Sequence, residues 1–255
     1  VLVLPQGHLI MPAQAPAATA LSARPLMLWK QLRDDLQIIA REHTDAVLAS
    51  SLAAEDMVLF HAMSIYTPEL DTITLDTGRL HAETLQLGRH IQEHYERPIL
   101  FFHPDPERVQ EHVRTHGTHA FYESVELRKE CCAIRKVEPL RRALQGRSAW
   151  ITGQRREQTT SRTELSSKEY DSAFGLQKFN PLIEWTQDDV WAVIRGLSIP
   201  YNSLHDQGYP SIGCEPCTRA IRPGEDVRAG RWWWEQRDSL ECGLHASNLN
   251  SRVNT

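Results

Sequence analysis

The stretch AVLASSLAAEDMVLFHAMSIY, residues 46–66, decides the fold. It opens on a short apolar run, Ala46–Ala49, turns at Ser50 and Ser51, and continues from Glu55 to Tyr66 with apolar residues at helical spacing. Strand, loop and helix in that order make half of a βαβ unit. The pattern recurs downstream. Thr72–Leu75 predicts a second strand and Leu80–Tyr95 a second helix, Pro98–Phe102 a third strand and Pro106–His116 a third helix. Glu130–Leu144 predicts another helix, and Ala149–Thr152 a fourth strand. Upstream, Leu28, Leu32, Leu36 and Ile39 put an apolar stripe on a helix over Met27–Glu42. Strands separated by helices of this length predict an α/β fold, a mostly parallel sheet flanked by helices. Ligands of such sheets bind beyond the carboxyl ends of the strands. The residues to inspect are therefore Ser50–Ala54, Asp76–Arg79, His103–Pro104 and Gly153–Arg162.

The two ends of the chain read differently. Residues 1–25 hold four prolines, and five alanines fall between 12 and 20, which predicts a flexible N-terminal arm. The apolar start and the PAATA at 16–20 lack a basic leader and a continuous apolar core, so a signal peptide is not expected. Thr186 followed by Asp189 marks the start of a helix reaching Arg195. Beyond Pro200 the chain is rich in Gly, Pro and Trp, which predicts loops tied down by something other than an apolar core. The expected division is an arm over 1–25, an α/β domain over 26–220 and a mobile C-terminal tail over 221–255.

Composition narrows the class. The 255 residues include 28 Lys+Arg against 33 Asp+Glu, a net charge of −5, with 41% hydrophobic and 24% charged residues. This is ordinary globular usage and excludes collagen, a coiled coil and a disordered chain. No apolar run approaches the roughly 20 residues of a membrane span. Mild acidity argues against a dedicated nucleic-acid surface, yet it permits a local cationic pocket.

The five cysteines, Cys131, Cys132, Cys214, Cys217 and Cys242, are odd in number and do not form a disulfide framework. Cys131-Cys132 and Cys214-Glu-Pro-Cys217 can supply four soft ligands to one centre, either zinc or an iron–sulfur cluster. Adjacent cysteines crowd a single small ion, and a cluster with several irons separates the ligand positions, which favours [4Fe–4S]. A lone cysteine is more often a small buried hydrophobe; two pairs make that reading poor. Cys242, in ECGLH, is surplus to the four ligands and lies in a polar stretch with Arg228, Arg231 and His245 close in sequence. Cations lower a thiol pKa and favour the nucleophilic thiolate.

Charge is concentrated as well. Between Arg128 and Arg162 ten Arg or Lys residues face only Glu130, Glu138 and Glu157, which suggests an anionic ligand. Arg141 and Arg142 fit a solvated helix face. Arg155, Arg156 and Arg162 follow a strand and rank higher. The loop Ser50–Asp56 offers hydroxyls and backbone N–H groups at a helix start, although without glycine it fits an ordinary helix cap better than an anion site.

Taken together, SSLAAEDMVL (50–59), LDTGRLHAET (75–84), ECCAIRKVEPL (130–140), TGQRREQTTSR (152–162), KFNPL (178–182), PYNSLHDQGYPSIGCEPCTR (200–219), GRWWWE (230–235) and ECGLH (241–245) resemble the assimilatory sulfonucleotide reductases. The resemblance covers about residues 40–250 and points to the bacterial iron–sulfur branch that reduces adenylyl sulfate (APS), as distinct from cluster-free enzymes that use 3′-phosphoadenylyl sulfate (PAPS). It implies an ATP-pyrophosphatase-like fold with a loop-rich C-terminal segment. It implies that Ser50, Ser51, Glu55 and Asp56 belong to a modified pyrophosphate loop, and that Leu75, Thr77, Arg79, Gly153 and Arg162 contact the nucleotide. Cys131, Cys132, Cys214 and Cys217 would hold a [4Fe–4S] cluster. Lys136, Arg228, Arg231 and His245 would surround the phosphosulfate. Leu52 and Ala53 stand where many members have Ser and Gly, and the Arg155–Arg162 loop lacks a common Ser-Pro.

The implied reaction is thiol chemistry. The Cys242 thiolate attacks the APS sulfur, AMP leaves, and reduced thioredoxin releases sulfite from the resulting S-sulfocysteine. Thioredoxin is expected as a separate protein, since the sequence ends shortly after Cys242. A cytoplasmic homo-oligomer without nucleic-acid or membrane partners is also expected. A PAPS-preferring or dual-specificity reductase is the nearest alternative. A tRNA-thiolating ligase would want a Ser-Gly-Gly loop and a broad basic surface, and a zinc-stapled interaction module would use Trp232–Trp234 as a contact.

Overall fold

A computed structural model describes residues 21–158 and 165–235. Among these, six strands form one sheet: β1 (Val47–Ser50), β2 (Asp71–Leu75), β3 (Leu100–Phe102), β4 (Ala149–Ile151), β5 (Lys168–Asp171) and β6 (Leu176–Phe179), in the order β3-β2-β1-β4-β6-β5. All neighbours pair in parallel except β5 with β6. The sequence reading left this antiparallel hairpin unassigned. Its edge strand KEYD has no apolar alternation and leaves Tyr170 exposed, so only its pairing with LQKF defines it.

The helices are α1 (Ala23–Glu42), α2 (Ala54–Tyr66), α3 (Ala82–Tyr95), α4 (Pro106–His116), α5 (Val125–Cys132), α6 (Glu138–Leu144) and α7 (Gln187–Gly196). They cover both faces of the sheet, because successive strand side chains point to opposite sides. Leu48, Ala149 and Ile151 join α1, α2 and α7 in one core, and Val47, Ile73 and Trp150 join Leu140, Ala143 and Leu144 of α6 in a second. Met57–Met63 of α2 are all buried, as expected of a helix that is apolar on every side.

Several boundaries move. Helix α1 begins at Ala23, inside the stretch expected to be an arm. The helix expected from Glu130 begins at Val125, where the Ser124 hydroxyl accepts from the Leu127 N–H, and it widens into a π-helical turn over Ala133–Val137 before α6. The part of the expected tail that is described, through Glu235, is held against the body. Arg219 N–H donates to the Gly230 carbonyl and Trp232 N–H to the Cys217 carbonyl, and Trp232 is buried. A Cβ on Gly230 would strike the Arg219 carbonyl, so this crossing needs glycine. Among the described residues no helix is long and apolar enough to cross a membrane.

Candidate active site

Strand order reverses between β1 and β4, which are neighbours but lead to opposite halves of the sheet. Their carboxyl ends open on a cavity of about 420 Å³, within the range of small-molecule sites. Ser50, Ser51, Glu55 and Asp56 line it from the β1–α2 loop, Leu75 and Thr77 from the end of β2, and Gly153 from the loop after β4. Lys136 enters from the π turn, and Arg228 and Arg231 from the C-terminal segment.

The β1–α2 loop is held from within. Ser51 donates both its N–H (2.6 Å) and its hydroxyl (2.7 Å) to the Asp56 carboxylate. The Ser50 hydroxyl accepts from Leu52 N–H, which sits at a left-handed φ of 61°. That conformation is uncommon for a leucine; burial of its side chain and this hydrogen bond hold it. Ala53 stands at the N-cap of α2, so the ordinary side-chain helix cap that the loop could have made is absent. Burial pushes the Asp56 carboxyl up to about 6, against the donors from Ser51 and Gly153. A Cβ on Gly153 would lie 2.9 Å from the Glu55 Cβ and closer still to the Asp56 carboxylate. Glycine therefore lets the β4 loop lie against the start of α2.

The two described arginines ranked high from sequence are both paired with acids, Arg155 within the cavity lining and Arg156 outside it. Arg155 pairs with Glu55 (2.8 Å) and Glu157 (2.8 Å), and Arg156 pairs with Glu184. Glu55 thereby joins the two loops, with Gln158 as a second donor at 3.0 Å. Arg141 and Arg142 lie on an exposed helix face, as expected, with Arg142 paired to Glu138. Arg79 departs from its expected place. Its side chain is absent from the cavity lining and instead donates to the Thr118 carbonyl (2.7 Å) and lies over the Phe121 ring.

Arg79 belongs to an adjoining small pocket lined by Cys131, Cys132, Cys214 and Cys217. Cys131 and Cys132 end α5 at the π turn, and Cys214 and Cys217 bracket a single 3-10 turn. Residues far apart in sequence close this pocket. Leu80 bridges to Cys214, Glu215 N–H donates to the Arg79 carbonyl, and Tyr122 donates to the Pro216 carbonyl. Arg135 donates to the Thr77 carbonyl at 2.7 Å. Arg128, fully buried, holds Glu235 through two 2.8 Å bonds and stacks on Trp232 at 4.5 Å. Lys136 and Cys214 line this pocket and the larger cavity alike.

Burial pushes the Cys214 thiol up, but Lys136, the Thr77 hydroxyl, Arg231 and Arg135 outweigh it and hold the thiol below its ordinary range. Burial, together with Cys214, pushes Cys217 up to about 12. Burial also raises Cys131. Four sulfurs around one pocket, with cations beside them, suit a metal centre that would keep all four ionised. A single zinc at about 2.3 Å from each sulfur would draw the four to roughly 3.8 Å of one another. Among the described residues no three of these sulfurs group within 4.8 Å of one another, so a larger centre suits this donor set better.

Arg162, Cys242 and His245 lie outside the described residues. The sequence reading did not single out His205, which lines the cavity, packs edge-on against Trp191 and is held below its ordinary imidazole range by burial. Nor did it single out the Arg128–Glu235 pair, for which no local pattern gives a signal. Trp232 is buried as packing would require, Trp234 packs edge-on against Tyr122 at 4.4 Å, and Trp233 is exposed.

Residues 45–220 match the family model described as the phosphoadenosine phosphosulfate reductase domain. The adenosine 5'-phosphosulfate reductase of Burkholderia cepacia is 55% identical over 234 residues, 91% of this chain and 94% of that protein. The protein of the same name from Allochromatium vinosum is 52% identical, covering 85% of each chain. Among solved structures, the phosphoadenylyl-sulfate reductase of Candida auris in its phosphate complex superposes with a TM-score of 0.64 at 26% identity, over 79% of this chain and 98% of that one. An NH3-dependent NAD synthetase from Campylobacter jejuni, at 11% identity and a TM-score of 0.53 over 74% of this chain and 80% of that one, shares the fold.

Proposed function

This chain belongs to the phosphoadenosine phosphosulfate reductase domain family, and on that premise we propose that it reduces adenylyl sulfate to sulfite and AMP in sulfate assimilation. The observation that carries the reading is the cationic cavity at the strand carboxyl ends, which shares Lys136 with a pocket of four cysteines. Relatives at 42–55% identity bear the name adenosine 5'-phosphosulfate reductase, and the PAPS enzyme of Candida auris stands at 26%. This supports APS over PAPS as substrate.

In this reading the nucleotide occupies the cavity with its phosphosulfate toward Lys136, Arg228 and Arg231. Ser50, Ser51 and the first turn of α2 face its phosphate. The Cys242 thiolate attacks the sulfate sulfur, the S–O bond to AMP breaks, and AMP departs as the phosphate monoester. An anionic nucleophile approaching an anion is opposed by about 4 kcal/mol at 4 Å and an effective dielectric near 20. Lys136, Arg228 and Arg231 offset that repulsion as fixed charges. His245 is a charge partner for the thiolate. One thiol of reduced thioredoxin then attacks Cys242, expelling sulfite and forming a mixed disulfide. The second thioredoxin thiol resolves it, so thioredoxin is oxidised by two electrons and Cys242 is restored. The four cysteines hold a [4Fe–4S] cluster, which when bound supplies a fixed scaffold and local charge beside the cavity. A cytoplasmic homo-oligomer completes the proposal.

Sulfite release from APS, measured with and without reduced thioredoxin alongside iron content, tests this. Turnover dependent on both APS and thioredoxin is expected, with about four irons per chain. Turnover of PAPS at equal or higher kcat/KM would overturn the substrate choice. A sulfite-sized mass adduct persisting on Cys242→Ser would remove that residue from the chemistry.

A further inference from the structure

Away from the cavity, α4 presents His112 and His116 one turn apart, on the same helix face. Glu130, the residue before Cys131 on α5, stands opposite both. Its Oε1 is 3.4 Å from His112 Nδ1 and its Oε2 is 3.9 Å from His116 Nε2. One ligand atom from each of the three residues lies within 4.8 Å of the other two. None of the three lines the cysteine pocket or the nucleotide cavity.

A second observation concerns His112. It is more than nine-tenths buried, and its Nδ1 makes no hydrogen bond although Glu130 is close. Buried polar atoms are normally satisfied, and an imidazole nitrogen close to a carboxylate and a second imidazole has the surroundings of a metal ligand. His116 and Glu130 reach solvent, with side-chain exposures of 35% and 48%, so an ion has a path in and water can complete its coordination.

We propose that His112, His116 and Glu130 form a second metal site, for a divalent ion of the zinc class, tying α4 to the helix that carries Cys131 and Cys132. Two imidazoles and one carboxylate are a common protein ligand set for zinc, at about 2.0–2.2 Å from each donor. Ligand atoms already this close need only small side-chain rotations to meet one ion. Irving–Williams ordering makes Ni²⁺ and Cu²⁺ competitors at such a site, and Mg²⁺ a poor one. The site stands on side chains outside the proposed reaction, so it survives or fails independently of that reading.

Calorimetric titration of Zn²⁺ into the protein as purified, with its iron content measured before and after, tests the proposal. Wild type binds one equivalent that either His116→Gln or Glu130→Gln weakens by roughly tenfold or more, since even outer-shell changes weaken metal sites by 10–100-fold. Zinc raises the thermal midpoint of wild type and leaves that of the two variants unmoved. Both substitutions fall on solvent-reaching side chains, and unchanged iron content reports an intact fold. Equal zinc stoichiometry and affinity in wild type and both variants, or no midpoint shift in wild type, would overturn the assignment.

Discussion

The Thr77 hydroxyl lies 3.2 Å from the Cys214 sulfur. Thr77 also lines the larger cavity, and its backbone carbonyl accepts from Arg135. A single residue of the loop that follows β2 thus touches both the cavity and Cys214. Thr77→Val keeps the shape and deletes the hydroxyl, a loss of about 1 kcal/mol for one hydrogen bond. Iron should leave the variant faster under a chelator, and Thr77→Ser should restore wild-type release.

Lys136 and Arg79 are separated by the geometry although both are cations near the cysteines. Lys136 lines both pockets, whereas the Arg79 side chain lines only that of the cysteines. Lys136→Ala should lower kcat with APS by about 100-fold, the scale for losing one electrostatic contact to a transition state. Arg79→Ala should leave KM for the nucleotide unchanged while accelerating iron loss. Steady-state kinetics paired with iron analysis reads both, and a raised KM in Arg79→Ala would return that residue to the nucleotide.

Arg128 and Glu235 are almost wholly removed from solvent, at 0% and 3% side-chain exposure. Cutting one partner of such a pair leaves a buried charge and costs about 3–5 kcal/mol. Arg128→Ala should therefore lower stability to urea by that order. The double variant Arg128→Met with Glu235→Gln should recover part of the loss, because no charge is stranded. Equal stability of single and double variants would show that the pair is not coupled.

Asp56 gives the site a pH signature. Burial raises its carboxyl to about 6, above the usual 3.8. The native state then holds a proton that the unfolded chain has released, so stability falls as pH rises from about 4 to about 6 and is level above that. Asp56→Asn removes this component. The stability of wild type minus that of Asp56→Asn, from urea melts, should decrease across that window by on the order of 2–3 kcal/mol. A flat difference would show that the carboxyl titrates normally.

How much of this was legible beforehand follows from the range of each interaction. The alternation of short apolar runs with helical stripes, from Ala46–Ala49 onward, is written within about ten residues at a time, and it determined the α/β class and the loops that bear the site. The Thr186–Asp189 capping box is equally local and is present. The β5–β6 hairpin was not legible, because an exposed four-residue edge strand has no apolar alternation to report. Nor was the π turn at Ala133–Val137, whose backbone bonds interrupt an otherwise continuous helical pattern.

Within the site, the sequence by itself paired the cysteines and concentrated the positive charge, and its resemblance to the sulfonucleotide reductases pointed to Ser50, Ser51, Leu75, Thr77, Gly153, Lys136, Arg228 and Arg231, which the fold brings to one cavity. Only the tertiary structure decided which cations are neutralised by a carboxylate, at that cavity and beside it. Arg155 is drawn to Glu55, 100 residues away, and Arg128 to Glu235, 107 residues away. A guanidinium in the interior settles on the carboxylate that the fold brings to it, because a buried charge is tolerated only when paired. The partner depends on how the sheet and its loops close, and no short pattern in the chain records that closure.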